Sequence, residues 1–279
     1  MIKSLTEQNF FNLPAHIREG IKILAVPYLL NQLIAEDLLV VSGILTTDAA
    51  EMVKNIKSYR VWERRAKDTW FITPHLREVA ISQLEENTLI IKRKALEVLK
   101  RHQPIYNIDT YLASKDYYLQ MARLSLSIPE NRAEAVDLLR SYFNSAELFN
   151  NHESARVISI YVDENLKPKD WQDYPENIWK LFFVRGTHAY RQGDHNTVLQ
   201  YLAPVWENRD TSVDSVQDAV IACYYMGSCY RSIGSPGNAE DMFLSGIKLA
   251  STINKEHILP AFAQKVRELQ FELEAITKN

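Results

Sequence analysis

The stretch Gly227-Ser-Cys-Tyr230-Arg-Ser-Ile-Gly234, continued by Ala239, Phe243 and Gly246, decides the fold. Its small and aromatic residues recur at the spacings of a packed helical hairpin. Gly227 and Ala239 would let two antiparallel helices approach closely, Tyr230 and Phe243 would fill the space between hairpins, and Gly234 would turn the chain. The pattern occurs again upstream, where Gly186 and Gly193 repeat the seven-residue separation and Leu202 takes the place of Phe243. Gly186 and Gly227 are 41 residues apart, so the join around 210–217 has to absorb extra residues. Ala135, Leu139 and Tyr142 are a weaker echo that fits the second helix of a hairpin only.

Working outward, six of the eight glycines lie between Gly186 and Gly246, and the prolines fall mostly between periodic segments, as in a helical protein. After Pro104 the periodicity predicts helices over about 109–127, 131–149, 153–165, 176–192, 196–207, 213–233, 237–252 and 255–276. Helices of this length with short polar joins stack as an α-solenoid. Before it come helices over about 14–26, 28–39 and 47–57, the last entered through a Thr47-Asp48 cap signal. Strand signal is confined to 59–73, where Tyr-Arg-Val-Trp-Glu-Arg-Arg and Thr-Trp-Phe-Ile-Thr flank a polar turn. Pro74 then opens a long helix expected to run to about Arg101. The fold class is therefore all-α with one small β-hairpin wing: a winged-helix-like domain over 1–85, a connecting helix over 86–103, and a helical repeat domain over 104–279. The same order of elements also fits a helical cap with an incidental hairpin.

With 279 residues and 46% hydrophobic content the chain needs no metal or disulfide to hold a core. Its net charge of -3 argues against a wholesale polyanion binder. Residues before 104 carry 15 basic and 12 acidic side chains, the rest 17 and 23, so only the first part tolerates a nucleic-acid reading. Cys223 and Cys229 are six apart on one predicted helix and point about 120° apart, which leaves them as reduced core residues. No basic-then-apolar leader opens the chain, and no apolar run approaches the roughly 20 residues of a membrane span, which predicts a cytoplasmic protein with no membrane partner.

The segment from about Trp179 to Ala250 resembles the tetratricopeptide (TPR) family, with an offset longer than the roughly 34 residues of its regular arrays. In that family the first helix of each hairpin lines a concave groove that binds other proteins. Carried over by position, Lys180, Phe183, Thr187, Tyr190 and Arg191 would face the groove from one hairpin, and Ile221, Tyr224, Ser228, Arg231 and Ser232 from the next. The lysine and asparagines that clamp a peptide carboxylate in chaperone-binding TPRs are replaced by Phe183, Thr187, Tyr224 and Ser228, so no such clamp is expected. An aromatic groove edged by Lys180, Arg191 and Arg231 suits an apolar or amphipathic segment with an acidic flank. The same aromatics would also serve as packing between hairpins.

Trp70-Phe-Ile-Thr-Pro-His-Leu-Arg-Glu-Val-Ala80 resembles the end of the winged-helix domain in NB-ARC and MalT-type STAND signalling ATPases, and the resemblance covers roughly residues 13–85. Pro74 and Arg77 match its motif, and Leu76 and Ala80 keep its apolar character. Where that family carries a nucleotide-sensing histidine this chain has Thr73, with His75 two positions late. No Gly-x4-Gly-Lys-Ser/Thr phosphate loop occurs, so the ATPase domain itself is absent. The resemblance implies the sensor part of a STAND-type system, or a standalone relative without the motor.

The seven histidines show no metal-binding spacing, and His188 and His195 read as surface or groove-edge residues. Paired carboxylates such as Glu85 with Glu86 and Glu240 with Asp241 are those of solvated helix faces. The expectation is a non-catalytic protein-interaction scaffold or sensor, without cofactor, that binds a protein or peptide. The alternative is a ligand-controlled DNA-binding transcription regulator, with Lys54 and Lys57 on its third helix and Arg60, Arg64, Arg65 and Lys67 along the wing as phosphate contacts. Glu51, Glu63 and Asp68 dilute that patch. Lys92-Arg93-Lys94 reads as a solvated helix face.

Overall fold

The structure is a computed structural model that describes residues 9–59, 61–66, 68–102, 108–148, 151–175, 177–208, 213–253 and 260–277. It is mostly helical, with one two-stranded antiparallel hairpin among the described residues. The chain divides into two units, Met1–Leu138 and Leu139–Asn279.

In the first unit, amphipathic α1 (Ala15–Leu24) buries Ile17, Ile21, Ile23 and Leu24 against α3 (Thr46–Ser58) and α2 (Gln32–Val41). The Asn31 side chain caps α2 by accepting from the Ile34 amide at 2.8 Å. The Thr47-Asp48 cap does not form: α3 already begins at Thr46, and the Thr47 hydroxyl donates to Asp48 instead. Strand β1 (Trp62–Ala66) pairs with β2 (Thr69–Ile72), Trp62 opposite Ile72 and Arg64 opposite Trp70. Alternation along β2 buries Trp70 and Ile72. Leu30, between α1 and α2, exchanges both backbone hydrogen bonds with Trp70 at 2.8 and 2.9 Å, giving the hairpin a one-residue third partner. Trp62 Nε1 donates to the Lys57 carbonyl at 2.6 Å and ties β1 to the end of α3.

The helix expected from Pro74 to Arg101 is broken. Pro74 opens α4 (Pro74–Ser82), Glu85 then takes a left-handed φ of 46° in a short 3-10 turn, and α5 (Thr88–Arg101) follows. The cause is tertiary: α4 packs on α1, whereas α5 packs on α2 and on α6 (Ile108–Leu126), and one straight rod could not serve both. Ile91, Ala95, Leu96, Val98 and Leu99 of α5 join the same core as α1 to α3, together with Met121 and Leu124 of α6. Gln120 fastens α6 to this core, accepting from the Leu29 amide at 2.5 Å and donating to the Leu29 carbonyl at 3.1 Å. The unit thus runs past residue 85, where the first domain was expected to end. It takes in the expected connecting helix and the first helix of the repeat domain expected from residue 104, because both supply its core.

The chain then forms α7 (Arg132–Leu148), α8 (His152–Asn165), α9 (Ile178–Arg191), α10 (His195–Glu207), α11 (Val213–Ser232), α12 (Pro236–Ala250) and α13 (Pro260–Thr277), with the division between units inside α7. Three residues separate α7 from α8, α9 from α10, and α11 from α12. Each turn closes with the same backbone hydrogen bond five residues back: Asn151 to Ala146, Asp194 to Ala189 and Ser235 to Tyr230, at 2.8, 3.0 and 2.8 Å. Gly193 and Gly234 supply the left-handed φ values of 75° and 78° that such a closure needs, and their amides donate to Tyr190 and Arg231. The close approaches expected at Gly186 and Gly227 are present. A Cβ at Gly186 would lie 2.4 Å from Leu202, and one at Gly227 would lie 2.3 Å from Phe243.

The common turn puts α7 in the first-helix role of its hairpin, which corrects the reading of Ala135, Leu139 and Tyr142 as a second helix. The extra residues between Gly186 and Gly227 are taken up largely by helix, since α11 has 20 residues where α9 has 14. Cys223 and Cys229 are buried thiols outside any disulfide. Among the described residues no helix is long and apolar enough to cross a membrane.

Candidate functional site

Alternate helices of the second unit present one lined face. A cavity of about 390 Å³ is bounded by Asn144 of α7, Phe183, Val184, Thr187 and Arg191 of α9, Ile221 and Tyr225 of α11, and Gln264 and Lys265 of α13. It adjoins a second hollow of about 330 Å³ that shares Asn144, Val184, Thr187 and Arg191 and adds Glu147, Leu148 and His188. Helical spacing explains the set, since 183, 187 and 191 recur every four residues and 221 and 225 do the same on the neighbouring helix.

Of the expected groove residues, Phe183, Thr187, Arg191 and Ile221 therefore meet in one cavity. The others have separate places. Tyr190 lies against Tyr225 with ring centroids 4.3 Å apart. Tyr224 lies under the Lys265 ammonium, 4.1 Å from its ring centre, and burial raises its hydroxyl pKa. Ser228 is buried and lines neither hollow. Arg231 forms an ion pair with Glu272 of α13, and the Ser232 hydroxyl turns back to the Ser228 carbonyl at 2.9 Å. Lys180 stands 5.5 Å from the Trp179 ring centre. Gln264, Lys265 and Glu147 were missed by the sequence reading, because α13 and α7 carry none of the glycine signals that identified α9 and α11; Tyr225 was missed on α11 itself, where the resemblance pointed to its neighbour Tyr224.

Charge is arranged unevenly over this face. Glu147 is held between His188 Nδ1 and the Arg191 guanidinium. His188 is 4% exposed, which rules out the surface half of its surface-or-groove-edge reading, and its ring edge meets Phe143 at 5.1 Å. Burial outweighs Glu147 and lowers the His188 pKa. A neutral ring with the proton on Nδ1 satisfies both neighbours, donating to Glu147 and accepting from Gln192 Nε2 at 2.9 Å. One turn before Ile221, Asp218 is pushed up to about 7 by burial and then by Asp214, against the opposing pull of Lys180 and Arg140. Beneath the face, Arg185 holds Asp163 through two hydrogen bonds of 3.0 and 2.8 Å and Tyr201 donates to the same carboxylate at 2.8 Å, locking α8, α9 and α10 together.

His195 Nδ1 lies 3.3 Å from Cys229 Sγ, but burial pushes the thiol up to about 11, so this pair holds no thiolate at neutral pH. Among the described residues no group of three or more metal-ligating side chains converges.

The wing residues behave differently from one another. Lys54, Arg64 and Arg65 are exposed, whereas Arg60 and Lys67 lie outside the described residues. Lys57 is committed locally: it donates to Gln32 at 2.8 Å, stands 4.9 Å over the Trp70 ring and has its pKa lowered by burial. A cleft of about 550 Å³ beside the hairpin includes Lys57 and Arg64 but also Asp68, which weakens its appeal to phosphate. Arg77, the motif arginine, donates to the Val26 carbonyl at 3.1 Å, and His75 is exposed. Comparison with family models, with curated proteins and with solved structures finds no match for this chain.

Proposed function

We propose that the chain is a non-catalytic protein-interaction scaffold or sensor module whose second unit is a TPR-like solenoid, with a protein or peptide segment held across α7, α9, α11 and α13. The observation that carries this reading is the single cavity lined by four alternate helices. The thrice-repeated turn supports it, since a periodic closure is what a solenoid requires. Phe183, Ile221 and Tyr225 form an apolar floor and Arg191 and Lys265 a cationic edge, which suits an amphipathic segment with an acidic flank. The first unit is read as a winged helix, supported by the order of its elements and by the Leu30–Trp70 pairing. In that role it would dock the loaded solenoid onto a STAND-type ATPase domain or pass on a change in solenoid curvature.

Fluorescence anisotropy with synthetic amphipathic peptides, with and without acidic flanks, tests the groove. Phe183→Ala combined with Tyr225→Ala should weaken the acidic-flanked set at least 30-fold, about 2 kcal/mol, with helicity unchanged. Full affinity in the double variant would sink it. The second reading, a DNA-binding regulator, is favoured by the exposure of Lys54, Arg64 and Arg65. It requires a salt-dependent gel shift that disappears when Arg64 and Arg65 are both changed to Ala.

A further inference from the structure

A cavity of about 320 Å³ in the first unit gathers three cations: Arg77 of α4, Lys92 of α5 and Arg123 of α6. Tyr28, itself stacked on Phe71, lies close to both arginines, their guanidinium carbons 5.6 and 5.3 Å from its ring centre. Arg77 spends one terminal nitrogen on the Val26 carbonyl, while its buried Nε has no hydrogen-bond partner among the described residues. Gln120 lines the same cavity but is committed to the Leu29 backbone. Burial lowers the Arg77 pKa; of the groups around it Tyr28 pulls it up, Arg123 pushes it down and Glu78, an exposed residue of α4, pulls it up.

Two guanidinium groups drawn to one ring repel each other, and a buried donor without a partner is costly. An oxyanion entering the cavity would offset both. Arg forks match the geometry of phosphate oxygens, and an ammonium adds a third contact. The remaining walls, Ile81, Leu124 and the Tyr28 ring, are apolar.

We propose that this cavity binds the phosphate group of a small phosphomonoester, held by Arg77, Arg123 and Lys92, with its organic part against Tyr28, Ile81 and Leu124. The site is independent of the peptide groove. This assignment also changes the reading of the Lys92-Arg93-Lys94 cluster. Lys92 lines the cavity, whereas Arg93 pairs with Glu130 at 2.6 Å on the surface.

Isothermal titration of the full chain with phenyl phosphate, inorganic phosphate and malonate, each against potassium chloride at matched ionic strength, tests it. Saturable binding in the order phenyl phosphate, phosphate, malonate is expected. Arg123→Gln and Lys92→Ala should each weaken phenyl phosphate at least tenfold, with the near-ultraviolet circular dichroism of the wild type. Lys92→Ala removes an ammonium that anchors no backbone group among the described residues, so it keeps the test decisive if Arg123→Gln fails to fold. Absence of saturable binding, or wild-type affinity in Lys92→Ala, would overturn the site. Malonate binding as tightly as phenyl phosphate would overturn the phosphate assignment.

Discussion

The hairpins α7–α8 and α11–α12 turn through the same backbone hydrogen bond, yet they place their bulk on opposite helices. Five residues before the end of the first helix stands Gly227 in one and Phe143 in the other. Eight residues after the cap of the second helix stand Phe243 and Ser159. Phe243 and Phe143 are both fully buried, while Ser159 spends its hydroxyl on the Ala155 carbonyl at 2.8 Å. Phe143 meets the His188 ring of α9 at 5.1 Å, whereas a Cβ at Gly227 would meet Phe243 within its own hairpin, so equal turns are followed by different packing.

The strongest way to break the comparison is to add bulk on both sides of α11–α12. Gly227→Ala would bring a methyl group within 2.3 Å of the Phe243 ring. The expected loss is about 3 kcal/mol of unfolding free energy in urea, at the upper end of overpacking costs. Phe243→Ala should cost a similar amount by leaving a cavity. In the double variant the new methyl group meets no ring, so the combined loss should fall short of the sum by at least about 1 kcal/mol. Additive losses would show that Gly227 is not needed for the approach. Ser159→Ala in α7–α8 should change stability by less than about 1 kcal/mol, because its hydroxyl bonds only within its own helix.

The same contrast explains what could be read beforehand. Gly186, Gly193, Gly227 and Gly234 mark α9–α10 and α11–α12 because a close approach and a left-handed turn each exclude other residues there. In α7–α8, Phe143 stands where the other two hairpins carry Gly186 and Gly227, and Asn150 occupies the sequence position of Gly193 and Gly234. Helix boundaries were legible from Pro74, Gly193 and Gly234 to within a few residues. The break at Glu85 was not, since Leu76, Ala80, Leu84, Ile91 and Ala95 suit one unbroken helical stripe and Glu85 is no obvious turn residue. Leu30 pairs as a single residue and so leaves no period to detect. In the candidate site, Phe183, Thr187, Arg191 and Ile221 were expected only as positions carried over from the TPR resemblance. Gln264 and Lys265 lie on a helix that periodicity predicted over 255–276, but nothing in its sequence marked it as lining the groove; it packs against Gly246, where a Cβ would lie 3.0 Å from Leu269.

A second difference between hairpins is the added length of α11, which carries Asp218 at a level where the α9 chain offers only its cap, Asn177. The carboxyl is pushed up to about 7 in the folded chain, above its unfolded value near 4. The native state then holds the extra proton, so this group's support for the fold is complete below pH 4 and is lost as pH rises through 7. Asp218→Asn should accordingly stabilise the protein at pH 8 by on the order of 2 kcal/mol and have little effect at pH 4, read from urea midpoints. An equal effect at both pH values would mean that the carboxyl is not desolvated.

The smallest effects separate the three caps that close these turns. Asn151 accepts from the Ser154 amide at 3.0 Å and Asp194 from the Thr197 amide at 3.1 Å, whereas Ser235 makes no side-chain bond to the backbone of α12. Replacement by Ala should cost about 1 kcal/mol at Asn151 and at Asp194 and near zero at Ser235. Only the Asp194 loss should depend on pH. Its carboxyl is held below the usual range chiefly by the hydrogen bond from the Thr197 hydroxyl, so the charged form stabilises the fold above about pH 4 and that contribution fades as pH falls through the depressed value. If Asp194→Ala and Asn151→Ala lost the same stability at pH 2.5 as at pH 7, the charge at Asp194 would add nothing to the cap, and the two turns would be equivalent in energy as well as in geometry.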